Sequence, residues 1–236
     1  MSGELPGPLT RDAFIERLRE EGARRYHDHH PYHKAMHAGT LSQKQLQEWV
    51  RNRYYYQTRI PIKDALILAK SDDPAFRRSW IRRIHDHDGL QPGEGGLARW
   101  LLLARGVGLD EAEVISLKGV LPGVRFACDA YVDLVRERSL LEAVASSLTE
   151  FFAPDLMTRR IAAWEQHYPW VKPEVLAYFR ERVVRARNDS QEAIEFVVAE
   201  AKTRDDQERC VAALIRKTEI LWHLLDCLSA AYGPVA

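Results

Sequence analysis

The chain has 236 residues, of which 46% are hydrophobic and 29% charged, and its 34 basic side chains equal its 34 acidic ones. This length allows a sizeable core, and a formal charge of zero gives no reason to expect nucleic acid or an anionic membrane as a partner. No apolar run approaches the ~20 residues that span a bilayer, and the amino terminus lacks a signal-peptide core. The sequence therefore predicts a cytoplasmic protein.

The elements predicted along the chain are helices, because capping residues stand where helices should begin. They are Thr10, Pro31, Ser42 with Gln45, and Asp73 before Pro74. Pro61 lies inside the helical pattern of residues 42–70 and predicts a kink near residues 58–60. After a glycine-rich loop at 89–96, helices are predicted over residues 97–105, 123–138, 140–164, 173–202 and 206–232. No strand-like alternation is present, so the fold class is all-α.

The three cysteines argue against two kinds of cross-link. Cys128, Cys210 and Cys227 are an odd number and lack Cys-x-x-Cys spacing. This pattern favours neither a disulfide framework nor a zinc–thiolate site. We expect them to be reduced residues of the core.

Four predicted helices place cationic or hydrogen-bonding side chains on their apolar faces. The apolar seam of the last helix contains Lys217 among leucines, three and four residues apart. The other such rows are Leu46, Val50, Arg53, Gln57 and Ile60; Phe76, Trp80, Arg83 and His87; and Val175, Tyr178, Arg182 and Arg185. A buried ammonium without an anion costs several kcal/mol. The rows therefore predict an internal pocket for a small, strongly anionic ligand.

Each of these residues alone also fits a simpler interpretation, in which its stem lies on apolar surface and its head reaches water. Four coincidences on four helices favour the pocket, since foldable sequences avoid polar groups at core positions unless function requires them.

The nine histidines raise the question of a metal site. Di-iron helical proteins need several glutamates and Glu-x-x-His spacing on two helices, which this chain lacks. The pair Glu219 and His223 is of a kind that arises by chance, and His85 and His87 project from nearly opposite sides of a helix. The sequence predicts no metal. The cluster from His27 to His37 is either a solvated helix start or a group that faces the ligand.

Other catalytic motifs are absent from the sequence. Ser146-Ser147 lacks a glycine elbow, no cysteine sits in an evident electropositive turn, and Gly93-Glu94-Gly95-Gly96 is too short for a nucleotide-binding fingerprint. The remaining candidates for catalytic groups are His, Tyr, Lys and Arg side chains. These groups move protons at neutral pH and stabilise anionic intermediates.

Eight short stretches resemble the pyrroloquinoline-quinone synthase family. They are YHDHHPYH at 26–33, NRYYYQ at 52–57, IPIKD at 60–64, DHDG at 86–89, LPGVRFA at 121–127, SSLTE at 146–150, HYPW at 167–170, and Leu221-Trp222 with Leu225-Asp226. They extend over nearly the whole chain, and they are specific together although no single one is. The resemblance implies one helical domain over residues 1–236, with its core at 14–232.

The resemblance also implies a fold and a reaction. The fold is a compact bundle of about seven helices of the haem-oxygenase-like type, usually a homodimer, with neither metal nor organic cofactor. The reaction is ring closure of a bicyclic quinone precursor, followed by its oxidation with O2 and release of H2O2. The product, pyrroloquinoline quinone, would be made in the last step of its biosynthesis, and proteins of that pathway are possible partners.

Site residues follow from the resemblance, position by position. The implied catalytic residues are His87 as general base or acid and, as stabilisers of the anionic intermediates, Tyr178, Arg182 and Lys217. The implied substrate-binding residues are Tyr26, His27, Arg53, Tyr56, Gln57, Lys63, Arg83, Tyr131, Glu150 and Arg160. The chain departs from the family at Met157, where many members have a histidine. Either that histidine is dispensable or a neighbour such as His85 replaces it.

Two other functions remain open at this point. One is a helical di-iron oxidase of the same fold, with haem degradation as a weaker variant. The other is a carrier that binds an anionic quinone without turning it over. Metal content separates the first from the cofactor-free oxidase, and oxygen consumption separates the second.

Overall fold

The computed structural model describes residues 7–233, except for the side chain of Arg187. Its α-helices are α1 (Arg11–Arg25), α2 (Pro31–Ala38), α3 (Gln43–Ala69), α4 (Pro74–Asp88), α5 (Gly95–Gly106), α6 (Glu111–Ser116), α7 (Pro122–Glu137), α8 (Leu140–Ser146), α9 (Ala153–His167), α10 (Ala177–Glu200) and α11 (Arg204–Tyr232). Short 3₁₀ helices occupy His27–His29, Ser147–Phe152 and Pro173–Leu176. No strand occurs within residues 7–233, so the all-α prediction is confirmed. Seven of these α-helices have 15 or more residues.

The predicted caps hold the helix starts. The Ser42 side chain accepts from the backbone N–H of Gln45 while the Gln45 side chain accepts from that of Ser42. Asp73 caps α4 by accepting from two backbone N–H groups, and Thr10 caps α1. These bonds satisfy N–H groups that have no partner inside the helix. Helix α3 continues through Pro61 to Ala69.

The helix predicted over residues 140–164 is wrong in its middle. Helix α8 ends at Ser146, and the 3₁₀ helix Ser147–Phe152 separates it from α9. Pro154 has no N–H to donate, and it occupies the first turn of α9, where none is needed. The tighter 3₁₀ segment carries Glu150 towards α4, where it pairs with Arg83.

Long helices pack around one buried core. Helix α3 packs against α4 and α7, α10 against α9, and α11 against α1, α7 and α8. An aromatic cluster lies at the centre, where Trp49 is 5.5 Å from Trp100 and 6.0 Å from Trp164 between ring centroids. Trp100 also donates to the Val50 carbonyl at 3.0 Å, which ties α5 to α3. This core places the polar faces of α3, α4, α9, α10 and α11 around a common space.

The loop that follows α4 depends on glycine. Gly89 and Gly95 have φ angles of +81° and +79°, in the left-handed region that disfavours other residues. A Cβ atom at Gly95 would also approach the Gly89 nitrogen to 2.4 Å. The two glycines therefore allow the chain to double back directly after His87.

Two further expectations concern membranes and cysteines. Within the described part of the chain, no helix combines the length and hydropathy that a bilayer crossing requires. Cys128 and Cys210 are buried, Cys227 is half-buried, and all three are free.

Candidate active site

A cavity of about 70 Å³ lies between α3, α4, α9, α10 and the 3₁₀ helix that carries Glu150. Ten of the fourteen site residues proposed from sequence line it. They are Tyr26, His27, Arg53, Tyr56, Gln57, His87, Glu150, Arg160, Tyr178 and Arg182. The prediction of an internal space surrounded by polar helix faces is thereby confirmed, whereas the roles assigned to single residues stay predictions.

Helix α3 supplies one wall of the cavity. Arg53, Tyr56, Gln57 and Ile60 are three or four residues apart, so they share one face of the helix. The hydroxyl of Tyr178 on α10 donates to the Gln57 side-chain oxygen at 2.8 Å, which connects this wall to the opposite one. Burial raises the pKa of Tyr178, so the phenol keeps its proton and remains a hydrogen-bond donor.

Three cationic side chains in or directly behind the cavity wall have no carboxylate partner among the described residues: Arg53, Arg160 and Lys217. The Arg53 guanidinium stacks on Tyr56, with 3.9 Å from Cζ to the ring centroid. Arg160 stacks on Trp49 at 4.8 Å. Burial, reinforced by the charge of Arg53, lowers the pKa of Arg160 to about 9 and that of Lys217 well below its ordinary value. The site is thus short of negative charge, as a site for an anion should be.

The one carboxylate that lines the cavity, Glu150, already has cationic partners. Arg83 donates to it at 2.7 Å, and Arg182 lies 3.8 Å away. Burial works to raise the pKa of Glu150, but Arg83 and the neighbouring cations outweigh it and the pKa is lowered. Arg182 also contacts Asp189 at 3.4 Å, where burial and then Glu150 raise the pKa of Asp189 to about 6. Glu150 therefore positions arginines and leaves the cationic excess in place.

Four residues proposed from sequence lie behind the cavity wall: Lys63, Arg83, Tyr131 and Lys217. The Lys217 Nζ donates to the Tyr56 hydroxyl at 2.9 Å and lies 3.2 Å above the Tyr131 ring. Lys217 therefore acts on the cavity through the Tyr56 hydroxyl.

Lys63 and Arg83 also act on the cavity through neighbouring side chains. Lys63 pairs with Asp64 at 2.7 Å and donates to Ser147 at 3.0 Å, and Arg83 holds Glu150. These residues support the wall without touching the cavity.

His87 lines the cavity with a defined tautomer. Its Nδ1 lies 3.1 Å from the Arg83 carbonyl oxygen, which accepts a hydrogen bond and therefore fixes the proton on Nδ1. Nε2 is left with its lone pair. Burial, followed by the charge of Arg182, lowers the pKa of His87 to about 3, so the imidazole is neutral at physiological pH. A neutral ring with a free lone pair can take a proton from a bound ligand. His85 does not line the cavity.

Seven lining residues were missed as site residues by the sequence reasoning: Ile60, Trp100, Thr149, Ala153, Leu156, Met157 and Leu221. Most are apolar, and an apolar wall has the same sequence pattern as a core. Met157 was noted only as a departure from the family. Its sulfur lies 4.0 Å from a terminal nitrogen of Arg160, so a soft, uncharged atom lies at the cavity surface at this position.

Solved structures with the same arrangement of helices define the class of this chain. A domain of unknown function with a haem-oxygenase-like fold from Shewanella denitrificans matches with a TM-score of 0.75 at 14% identity, covering 95% of this chain and 94% of that one. A TenA homologue from P. horikoshii matches with a TM-score of 0.73 at 12% identity, covering 93% and 99%. The fold is therefore haem-oxygenase-like, as predicted.

Sequence relatives specify the family within that class. The chain belongs to the TENA/THI-4/PQQC family, which matches residues 15–227. It is similar to the pyrroloquinoline-quinone synthase of Gluconobacter oxydans, with 48% identity covering 95% of this chain and 94% of the relative. It is also similar to the enzyme of that name from Rhizobium meliloti, with 51% identity covering 94% and 87%.

Within residues 7–233, no three His, Cys, Asp or Glu side chains are grouped so that they could hold a metal ion. The histidines instead contact one another, arginines and carbonyl groups.

Proposed function

We propose that this chain is an oxidase that completes pyrroloquinoline quinone without a metal or organic cofactor. Its substrate is 6-(2-amino-2-carboxyethyl)-7,8-dioxo-hexahydroquinoline-2,4-dicarboxylate, which it closes into a third ring and oxidises with O2, releasing H2O2. The carrying observation is the cavity itself, which is lined by a neutral histidine and by two arginines, Arg53 and Arg160, that have no carboxylate partner among the described residues. Relatives about half identical over most of the chain bear the name of that enzyme.

The carboxylates of the substrate match the charge of the site. Arg53 and Arg160 have planar guanidinium groups that can form paired hydrogen bonds to carboxylates. Both already stack on aromatic rings, which restricts their motion and reduces the entropy lost on binding. A bound anion would supply the negative charge that these groups lack in the protein alone.

Ring closure begins with a proton transfer. The amine of the substrate's amino-acid arm must lose a proton before its nitrogen lone pair can attack the ring carbon. As the new C–N bond forms, the π bond of the attacked ring carbon breaks, and its electron pair moves to the conjugated quinone oxygen, which takes up a proton. His87 Nε2 carries a lone pair at the cavity surface and accepts a proton from the substrate there.

Oxidation then removes electrons from the closed ring system. Each two-electron step transfers two electrons and two protons from the substrate to O2 and yields one H2O2. Tyr178 and Arg182 line the cavity as hydrogen-bond donors that stabilise the quinol anion and reduced oxygen, while Lys217 supports them through Tyr56.

The setting of the enzyme is part of the same proposal. The protein acts in the cytoplasm as a homodimer, and proteins of the same pathway are its candidate partners. Gel filtration with light scattering tests the dimer, and co-purification with the pathway proteins tests the partners.

One experiment tests the reaction. Protein freed of metals by chelation and checked by elemental analysis is mixed with the purified precursor, with and without O2, while quinone absorbance and H2O2 are followed. We expect quinone to form only with O2. No reaction under air would refute the proposal, a requirement for iron would favour the di-iron alternative, and binding without oxygen uptake would indicate a carrier.

A further inference from the structure

A row of histidines leads away from the cavity towards the protein surface. His27 lines the cavity, and its ring centroid is 4.8 Å from that of His33. The His33 ring is in turn 6.1 Å from that of His37, one helical turn further along α2. His37 Nδ1 lies 3.7 Å from a carboxylate oxygen of Asp28. These four residues are here called the histidine row.

Each member of the histidine row has a buried polar atom without a hydrogen-bond partner. The atoms are His27 Nδ1, His33 Nδ1, His37 Nε2 and Asp28 Oδ1. Buried polar atoms in folded proteins are nearly always satisfied, by ordered water when not by protein. The His27 and His33 rings are in direct contact at 4.8 Å between centroids, and the His33 and His37 rings are stacked at 6.1 Å, so water can join them only at the unpaired nitrogens on their edges. These nitrogens provide successive sites at which ordered water can bind along the row.

The two ends of the histidine row differ in their access to solvent. His27 is 2% exposed and His33 is 1% exposed. The side chain of His37 is 18% exposed and that of Asp28 10%, and Asp28 pairs with the exposed Arg159. The row thus begins at the cavity, among fully buried rings, and ends at the surface.

Arg160 sets the tautomer in the middle of the row. Its Nη2 lies 3.2 Å from His33 Nε2, and a guanidinium can only donate. Nε2 of His33 therefore carries the lone pair, and its proton lies on Nδ1, the atom left without a partner. His33 Nδ1–H can then orient a water between His27 and His37.

We propose that the histidine row and its bridging waters carry protons between the cavity and solvent at Asp28. The proposal deepens the proposed oxidase function and rests on it. The proton in question is the one lost by the substrate amine before ring closure, which O2 reduction does not consume. His87 Nε2 takes this proton from the amine and passes it through water in the cavity to His27, which also lines the cavity. From His27 it moves along the waters held by His33 to His37 and leaves at Asp28. No electron moves in this transfer, and each ring returns to its neutral form.

Because cations surround the histidine row, proton transfer along it depends on whether an anionic ligand is bound. The charged or titratable groups that face it are Arg53 from α3, Arg159 and Arg160 from α9, Lys217 from α11, and His30. Burial and then these cations lower the pKa values of His27 and His33, and burial lowers that of His37 to about 3. A bound polycarboxylate would neutralise Arg53 and Arg160 and ease protonation of the rings.

The test uses the half-buried outlet residue, so that folding is preserved. We expect His37→Ala to lower turnover of the precursor roughly tenfold, to enlarge the solvent deuterium isotope effect, and to regain activity with added imidazole. His37→Gln, which fills the space but cannot exchange a proton at neutral pH, should show the same loss. His29→Ala is the matched control, because His29 is exposed in the same segment and donates only to the Ala23 carbonyl.

The outcomes separate this inference from the proposed function. If wild-type protein turns over and the His37 variants match it in rate and isotope effect, the row conducts no protons. The inference also fails if imidazole restores nothing or if His29→Ala is equally slow. If wild-type protein does not turn over, the proposed function fails and this inference with it. Unchanged affinity for product quinone in the His37 variants would confirm that the loss lies in proton transfer and not in binding.

Discussion

Replacing His87 with asparagine should remove a proton acceptor from the cavity while keeping the wall in place. Asparagine can still donate a hydrogen bond to the Arg83 carbonyl, which His87 Nδ1 contacts at 3.1 Å, but it cannot take a proton. General acid–base groups contribute about 10²–10⁴-fold to rate, so we expect His87→Asn to slow proton-dependent steps by that factor. Product affinity should largely survive, because binding relies on the arginines.

The same variant has a second consequence, for stability at low pH. The folded-state pKa of His87 is depressed to about 3 from an ordinary value of 6.5, so its stabilising contribution is present above pH 6.5 and is lost as pH falls towards 3. At about pH 5.5, protonation of this ring multiplies the statistical weight of the unfolded chain by about 11. The folded protein remains almost entirely unprotonated at His87, so its statistical weight hardly changes. The wild-type protein should therefore lose about 1.4 kcal/mol through His87 between pH 7.5 and 5.5.

Single-turnover absorbance measures the first effect, and urea unfolding at the two pH values measures the second. His87→Asn should lose less stability on acidification than wild type does, by about 1.4 kcal/mol. His85→Asn is the control, because His85 belongs to the same helix and does not line the cavity. Equal rates in the two variants, or a slower His85→Asn, would refute the assignment of His87 and indicate that His85 replaces the family histidine at Met157.

Two further predictions concern the cations and the loop. Arg182→Ala and Lys217→Ala should stay helical by circular dichroism, since Glu150 keeps its ion pair with Arg83. Both variants should lose oxygen uptake, with a loss of roughly 2–5 kcal/mol in anion binding. An unfolded variant would indicate a structural role. When product quinone binds, hydrogen-exchange protection should increase in two segments: the one after Lys172, with α10, and the glycine loop after His87. The two segments are in contact, because Tyr178 lies against Gly96. Their closure would exclude water, which favours a peroxide-forming site. Equal protection in both states would exclude such closure.

The cavity could be predicted from sequence because charge at an apolar position is informative. Arg53 and Gln57 occupy the core-facing row of α3, and helical spacing alone places them on one side. His87 continues the row of Trp80 and Arg83 in the same way. The pattern thus identified faces that converge on one space, without any knowledge of how the helices pack.

Which charged residues line the cavity and which lie behind its wall could not be predicted in that way. Lys217 and Arg53 both interrupt apolar rows, yet Arg53 lines the cavity and Lys217 lies behind Tyr56. The difference depends on which neighbouring side chain intervenes, a long-range property of packing. The interruption between α8 and α9 was missed for a related reason, because the continuous helical pattern of residues 140–164 does not reveal that Glu150 must reach Arg83.

The unpaired cations link stability to function. Burying Arg160 and Lys217 completely and Arg53 partly, without carboxylates, costs folding free energy, and the lowered pKa values of Arg160 and Lys217 are the sign of that cost. An anion that binds the folded state offsets the cost and raises stability according to its concentration and affinity. The sequence therefore retains a destabilising arrangement that becomes favourable only when a polycarboxylate is bound, which is what a site selective for such a substrate requires.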